Sequence, residues 1–148
     1  MKSSIIILTS LIFLLQDTNV IGQAELSIEF YDIRSTEGQI LMSVFNEPSQ
    51  FPRKALPEFK DIRIPKDKVK ENTLSYNLKN LKPGKYAIAI LDDENSSGDM
   101  EFTKLGIPKE GYGFSNDAKP LLSAPPYKKC LFEVKEGKNK IRIKVRYR

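Results

Sequence analysis

The chain has 148 residues, a formal net charge of +5, no histidine and a single cysteine. The lack of histidine excludes Ser-His-Asp and Cys-His catalysis and most catalytic zinc sites. The lone cysteine, Cys130, excludes an internal disulfide. Its alternation with Phe132 and Val134 predicts a buried core thiol rather than a reactive one.

Residues 1–22 have the pattern of a secretory signal peptide. A basic residue precedes an apolar run at residues 5–15, and side chains of small or modest size follow just before Gln23, where we predict cleavage. The run is shorter than the roughly 20 apolar residues that a membrane-spanning helix needs. We therefore expect an exported protein, periplasmic or extracellular, with no transmembrane anchor after cleavage. Residues 23–148 are then one domain.

Alternating apolar and polar residues predict that this domain is all-β. Leu26, Ile28 and Phe30 alternate with polar residues, and turns rich in glycine and proline separate segments of this kind. No segment has a convincing helical pattern. The seven predicted strands are residues 24–33, 39–45, 59–64, 73–78, 85–91, 129–135 and 141–147. Short alternating strands favour an antiparallel β-sandwich.

Two connections in this sandwich are distinctive. Residues 92–128 are predicted to form one long loop, and loops of this length in a compact domain are usually functional. Residues 136–139 are expected to be a hairpin turn that joins the last two strands.

Two segments of the chain resemble known families. The phrase LKPGKYAIAI at residues 81–90 resembles the turn and strand of transthyretin-like and immunoglobulin-like sandwiches. The acidic turn at residues 93–101, followed by GIPKEGYGFSN at residues 106–116, resembles the secreted bacterial family called domain of unknown function 2141. That family usually has a His-Asp pair where this chain has Asp92 and Asp93. The resemblance implies an exported β-sandwich and implies no activity.

The acidic turn at the start of the long loop has the ligand spacing of a calcium loop. Oxygen-bearing residues fall at alternating positions around Gly98, and calcium takes six to eight oxygen ligands. The twelfth position is Lys104 instead of a bidentate glutamate, and no helices flank the loop, so an EF-hand is excluded. The alternative is a solvated loop that Asx-turns shape without a metal. The predicted calcium ligands are Asp93, Asn95, Ser97, Asp99 and Glu101, with Asp92 or Glu110 completing the shell.

Tyr112 and Phe114 are a candidate binding surface in the glycine-rich part of the long loop. One interpretation is an aromatic platform for a glycan, a peptide or a cell-wall partner. The other is that both rings fold back over the sandwich and anchor the loop, because buried aromatic rings stabilise a loop by covering much apolar area.

The end of the chain alternates five basic residues with apolar ones. The cationic face is either a solvated outer face that also blocks edge-to-edge pairing, or a surface for an anionic partner. We expect no nucleic-acid partner, because no such motif is present. The basic residues are Lys140, Arg142, Lys144, Arg146 and Arg148.

The sequence favours a non-enzymatic exported module, with a calcium-binding loop, that binds or supports an envelope protein, a glycan or an anionic surface. The alternative is a small carboxylate-dependent hydrolase acting on a glycan. Glycoside hydrolysis needs two carboxyl groups that flank a cleft, and Asp92 or Asp93 with Glu110 could supply them. The module has no predicted catalytic residue.

Overall fold

A computed structural model describes residues 22–52, 59–121 and 123–148. The predicted signal peptide lies outside the described residues, apart from Gly22. Within the described ranges, no helix combines the length and apolar character needed to cross a membrane.

The described residues form eight strands and a few short helical turns. The turns are 3₁₀ segments at Lys66–Lys68 and Ser115–Asp117, and one turn of α-helix, α1, at Tyr127–Cys130. The strands are β1 (Ala24–Tyr31), β2 (Gln39–Phe45), β3 (Ile62–Pro65), β4 (Thr73–Leu81), β5 (Gly84–Asp93), β6 (Gly111–Phe114), β7 (Phe132–Val134) and β8 (Gly137–Lys144).

The strands form two sheets, as the predicted all-β sandwich requires. One sheet has the order β4-β1-β8. The other has the order β3-β2-β5-β6, with β7 paired to the first residues of β5. Leu26, Ile28 and Phe30 of β1 are fully buried, and they meet Ile88 of β5 and Ile143 of β8 in the core. The alternation in the sequence therefore gives the correct inner face for β1.

The count of seven strands was too low because β6 lies inside the predicted long loop. Its sequence, GYGF, has little strand propensity because two of its four residues are glycine. Both glycines lie where β6 closely approaches the end of the chain. A Cβ at Gly111 would lie 2.4 Å from Tyr147 Cε1, and one at Gly113 would lie 2.4 Å from the carbonyl oxygen of Lys144. Only glycine fits at these two positions.

The predicted hairpin at residues 136–139 is wrong. β7 pairs with β5 in one sheet, whereas β8 begins at Gly137 and pairs with β1 in the other. The β1–β8 pairing is parallel, so the sandwich is not wholly antiparallel. The chain changes sheets at Gly137, whose φ is +82°, and the N–H of Lys135 donates to Asn139 Oδ1 at 2.9 Å. A glycine-asparagine segment has the same local pattern in a crossover as in a hairpin.

Cys130 belongs to a small second cluster on the other face of the five-stranded sheet. It is fully buried with Ala87 and Ala118, beneath the rings of Phe51 and Tyr127. Burial raises the pKa of its thiol to about 11, so the thiol is neutral at physiological pH. The predicted burial of the cysteine is confirmed, but Cys130 lies in α1 and not on the strand predicted at residues 129–135, and Val134 packs in the main core instead.

Candidate functional site

Asp93, the first of the predicted calcium ligands, is fully buried at the end of β5, and the loop that follows holds its carboxylate. The N–H of Ser97 donates to Oδ1 at 2.9 Å, and the N–H of Gly98 donates to Oδ2 at 3.0 Å. Gln39 of β2 donates its side-chain amide to Oδ2 at 2.8 Å. These three donors fasten the acidic turn to the sheet, which is the bonding expected of a loop shaped by Asx-turns.

The remaining predicted ligands lie along the same turn with other partners. Asn95 Oδ1 accepts the N–H of Ser97 at 3.0 Å, and Ser97 Oγ donates to the carbonyl of Asp99 at 3.1 Å. Glu101 is exposed and lies 3.8 Å from Lys109 Nζ. In the part of the chain that the structure describes, no three His, Cys, Asp or Glu side chains are grouped so that they could hold a metal ion. The turn thus carries the predicted ligands without gathering their carboxylates around one point.

Glu110 is the one residue of this region with an unsatisfied buried oxygen. It is only 5% exposed, and its Oε2 accepts the N–H of Glu101 at 3.3 Å. Its Oε1 is buried and has no hydrogen-bond donor within the described structure. Burial raises the pKa of this carboxyl group, and the nearby charges of Asp93, Glu101 and Glu94 raise it further. Because a buried acceptor without a donor is costly, this oxygen marks a point where a cation or a proton would be stabilising.

Asp92, the residue before Asp93 on β5, faces the interior and forms a buried ion pair. Lys66 Nζ lies 2.6 Å from Asp92 Oδ1, and neither side chain is exposed. Tyr147 donates its hydroxyl to Asp92 Oδ2. Burial raises the pKa of the Asp92 carboxyl group, although the hydrogen bonds from Lys66 and Tyr147 oppose that shift. Burial also raises the pKa of Tyr147. Asp92, which was predicted as an additional calcium ligand, is therefore part of the core.

A second ion pair covers this buried pair on the solvent side. The guanidinium of Arg34 lies 4.3 Å from the ring centre of Tyr147, and its Nε donates to Glu94 Oε1 at 3.0 Å. This hydrogen bond lowers the pKa of Glu94. Sequence reasoning missed Arg34, Lys66 and Tyr147 because they come from three distant segments without a shared motif. The only sequence signal was a charged residue, Asp92, at the end of an apolar strand.

An apolar groove of about 570 Å³ lies on the outer face of the five-stranded sheet. Its floor is the outward side of β2, β5 and β6. Two segments that flank the floor supply its walls, one with Met100, Phe102 and Pro108 and the other with Pro120, Leu121 and Ala124. Phe102 and Leu121, one on each wall, are 55% and 83% exposed. The volume is typical of cavities that hold one small ligand. The apolar lining includes Leu41, Phe45, Ala89, Leu91, Met100, Phe102, Pro108, Tyr112, Phe114 and Leu121.

The candidate binding surface of Tyr112 and Phe114 is part of this groove. Both residues are on β6, where they pair with Leu91 and Ala89 of β5, and both line the groove. Tyr112 is 8% exposed, and the ring of Phe114 lies 6.0 Å from that of Phe51. The two rings are therefore packed onto the sheet and form part of the groove floor at the same time.

Comparison with known proteins identifies the family. A family model described as an uncharacterized protein conserved in bacteria, domain of unknown function 2141, matches residues 28–142. The chain belongs to this family. The family match runs from β1 into β8 and includes the acidic turn, Glu110 and most of the groove. Tyr147 and Arg148 lie beyond it. Neither a curated protein nor a solved structure matches the chain.

Proposed function

We propose that this family member is an exported, non-enzymatic binding module of the cell envelope that takes an apolar ligand or partner segment into the groove. The groove itself is the observation that carries the proposal. A cavity of this size, lined mostly by apolar side chains, has the form of a small-ligand site. Export is supported by the signal-peptide pattern of residues 1–22.

The states of Asp92 and Asp93 favour a binding module over a hydrolase. A glycoside hydrolase presents two carboxyl groups to an open cleft. Here Asp92 is buried in the core in an ion pair with Lys66. Asp93 is also buried, and its carboxylate accepts a hydrogen bond from the loop that follows it. Neither residue lines the groove.

The groove can be tested with Nile red, a neutral dye that fluoresces in apolar surroundings. We expect the wild-type domain to bind the dye, and we expect Ala89→Trp to weaken binding at least about tenfold. The reason is that a ring placed on the groove floor removes the space for the ligand, and a loss of 1.4 kcal/mol is already tenfold. The matched control is Ser75→Trp, an exposed position on the other sheet. Equal dye binding by all three proteins, or none by the wild type, would contradict the proposal.

A calcium site at the acidic turn is a second candidate function, and the unsatisfied Oε1 of Glu110 favours it. Calcium accepts only oxygen ligands and would supply the missing partner. The Asp93 carboxylate already accepts hydrogen bonds from Gln39, Ser97 and Gly98. The site would therefore form when Glu101 and Asp99 turn toward Glu110 and share the ion with Asp93 and the oxygens of Asn95 and Ser97.

For the calcium site, we expect calcium to raise the melting temperature of the wild type, and a chelator to reverse the change. Calcium at a hundredfold excess over Kd stabilises by about 2.7 kcal/mol. Glu110→Gln should abolish the response without lowering the stability of the metal-free protein, because it removes an unpartnered buried charge. Differential scanning calorimetry with calcium and with magnesium measures both effects. A wild type that melts at the same temperature in millimolar calcium and in chelator has no such site.

A further inference from the structure

A second cavity, of about 500 Å³, adjoins the groove at its Tyr112 side. Tyr112, Pro120 and Arg148 line both cavities, so the two cavities are adjacent and share part of their lining. The groove is mostly apolar, whereas four basic side chains and the carboxylate of Asp32 line the second cavity. The basic residues are Lys119, Lys144, Arg146 and Arg148.

The two arginines of this cavity keep hydrogen-bond donors available for a ligand. Arg146 donates one N–H to the carbonyl of Asp117 at 3.0 Å, and Arg148 donates one to the carbonyl of Leu121 at 3.2 Å. Neither forms an ion pair with any carboxylate among the described residues. Lys144, by contrast, is paired with Asp32 at 2.8 Å. A guanidinium has five N–H donors in a fork that matches a carboxylate, so each arginine can still bind an anion.

The two sides of the groove differ in charge. Asp61, which also lines the groove, accepts a hydrogen bond there from Ser43 of β2. The sheet order places β3 and β2 on one side and β6, next to the segment of Arg146, on the other. Arg148 is the one basic residue among the described residues that line the groove, so an anionic group is attracted at the Arg148 side and repelled by the carboxylates of Asp61 and Asp99.

We infer that the groove holds a single-chain anionic amphiphile of the acyl-carboxylate class. Its chain lies over Ala89 and Leu91, and its carboxylate is bound by Arg146 and Arg148. This inference rests on the proposed function, because it names the ligand class for the same groove. An apolar ligand without a charged head would leave the arginine donors unused, and an anion without a chain would leave the apolar floor uncovered.

The test is displacement of Nile red by decanoate, octanoate and decan-1-ol. We expect decanoate to displace the dye at an about tenfold lower concentration than octanoate, because each methylene contributes about 0.8 kcal/mol. We also expect decanoate to be at least about tenfold more potent than decan-1-ol, from the two charge-assisted contacts. Arg146→Gln/Arg148→Gln should remove the preference for the carboxylate, so that decanoate and decan-1-ol displace the dye at similar concentrations. Lys138→Gln/Lys140→Gln, which removes the same charge from the other end of β8, should keep the preference.

Two results would overturn the inference while leaving the proposed function intact, and a third would overturn both. If decanoate and decan-1-ol displace the dye equally, the groove binds apolar ligands and does not recognise the carboxylate. If neither displaces the dye but the protein sediments with phosphatidylglycerol vesicles, the basic cavity recognises a lipid surface instead of a single chain. If the wild type binds no dye at all and calorimetry detects no decanoate binding, the proposed function fails together with the inference.

Discussion

Replacing Ile143 with aspartate is expected to unfold the domain at ordinary temperatures. Ile143 is fully buried between the sheets and packs in the main core. The substitution removes a buried aliphatic side chain, which alone costs about 2–5 kcal/mol, and it also places a carboxylate in an apolar site without a partner. A domain of this size has about 5–15 kcal/mol of stability in total. The loss of cooperative melting and of near-ultraviolet circular dichroism would show the effect.

The matched control is Arg142→Gln, the adjacent residue on the opposite face of β8. Arg142 is exposed, donates to Glu29 at 2.7 Å and lies 4.4 Å from the ring centre of Tyr31. Exposed ion pairs contribute about 0–1 kcal/mol, so this variant should melt within a few degrees of the wild type. If both variants melted at the same temperature, the inward orientation of Ile143 would be wrong.

The second large effect is expected for Lys66→Met. This change leaves Asp92 buried with only the Tyr147 hydroxyl as a partner. Breaking a buried ion pair from one side typically costs 3–5 kcal/mol, because the remaining charge is uncompensated. Chemical denaturation should therefore show a clearly lower free energy of unfolding. Lys68→Met, two residues away at an exposed position, should change it by less than about 0.5 kcal/mol.

The double variant Lys66→Met/Asp92→Leu separates charge from packing. Replacing both partners of a buried pair with apolar residues is often neutral or stabilising, so we expect it to recover most of the stability that Lys66→Met loses. A double variant that is less stable than Lys66→Met would show that the pair holds the fold through geometry that apolar side chains cannot replace.

The predicted ligands show where sequence reasoning about the site reached its limit. Spacing correctly placed Asp93, Asn95, Ser97 and Asp99 on one glycine-containing turn, because Asx-turn chemistry is local. Spacing could not reveal that Gln39 reaches Asp93 from a neighbouring strand. It also could not separate Asp92 from Asp93, although the two face opposite sides of the sheet.

The groove could not be predicted from the sequence, because residues that are distant in the chain form it. Tyr112 and Phe114 were recognisable as a candidate surface, but their companions on the groove floor come from β2 and β5. Leu41 and Leu91 face the same way only because the two strands pair in that register. Arg148 joins this face through the bridge between Tyr112 and Arg146.

By itself, the sequence determined the all-β class, the inner face of β1, the buried cysteine and the family. Period-two alternation and family motifs are properties of short segments, so they can be read without knowing what lies opposite. Only the tertiary structure decided that β8 runs parallel to β1, that GYGF is a strand, that Lys66 is buried against Asp92, and that a groove with a cationic end lies over the second sheet. These features depend on partners that are distant in the chain, and their free energy comes from burial and charge pairing that no local pattern records.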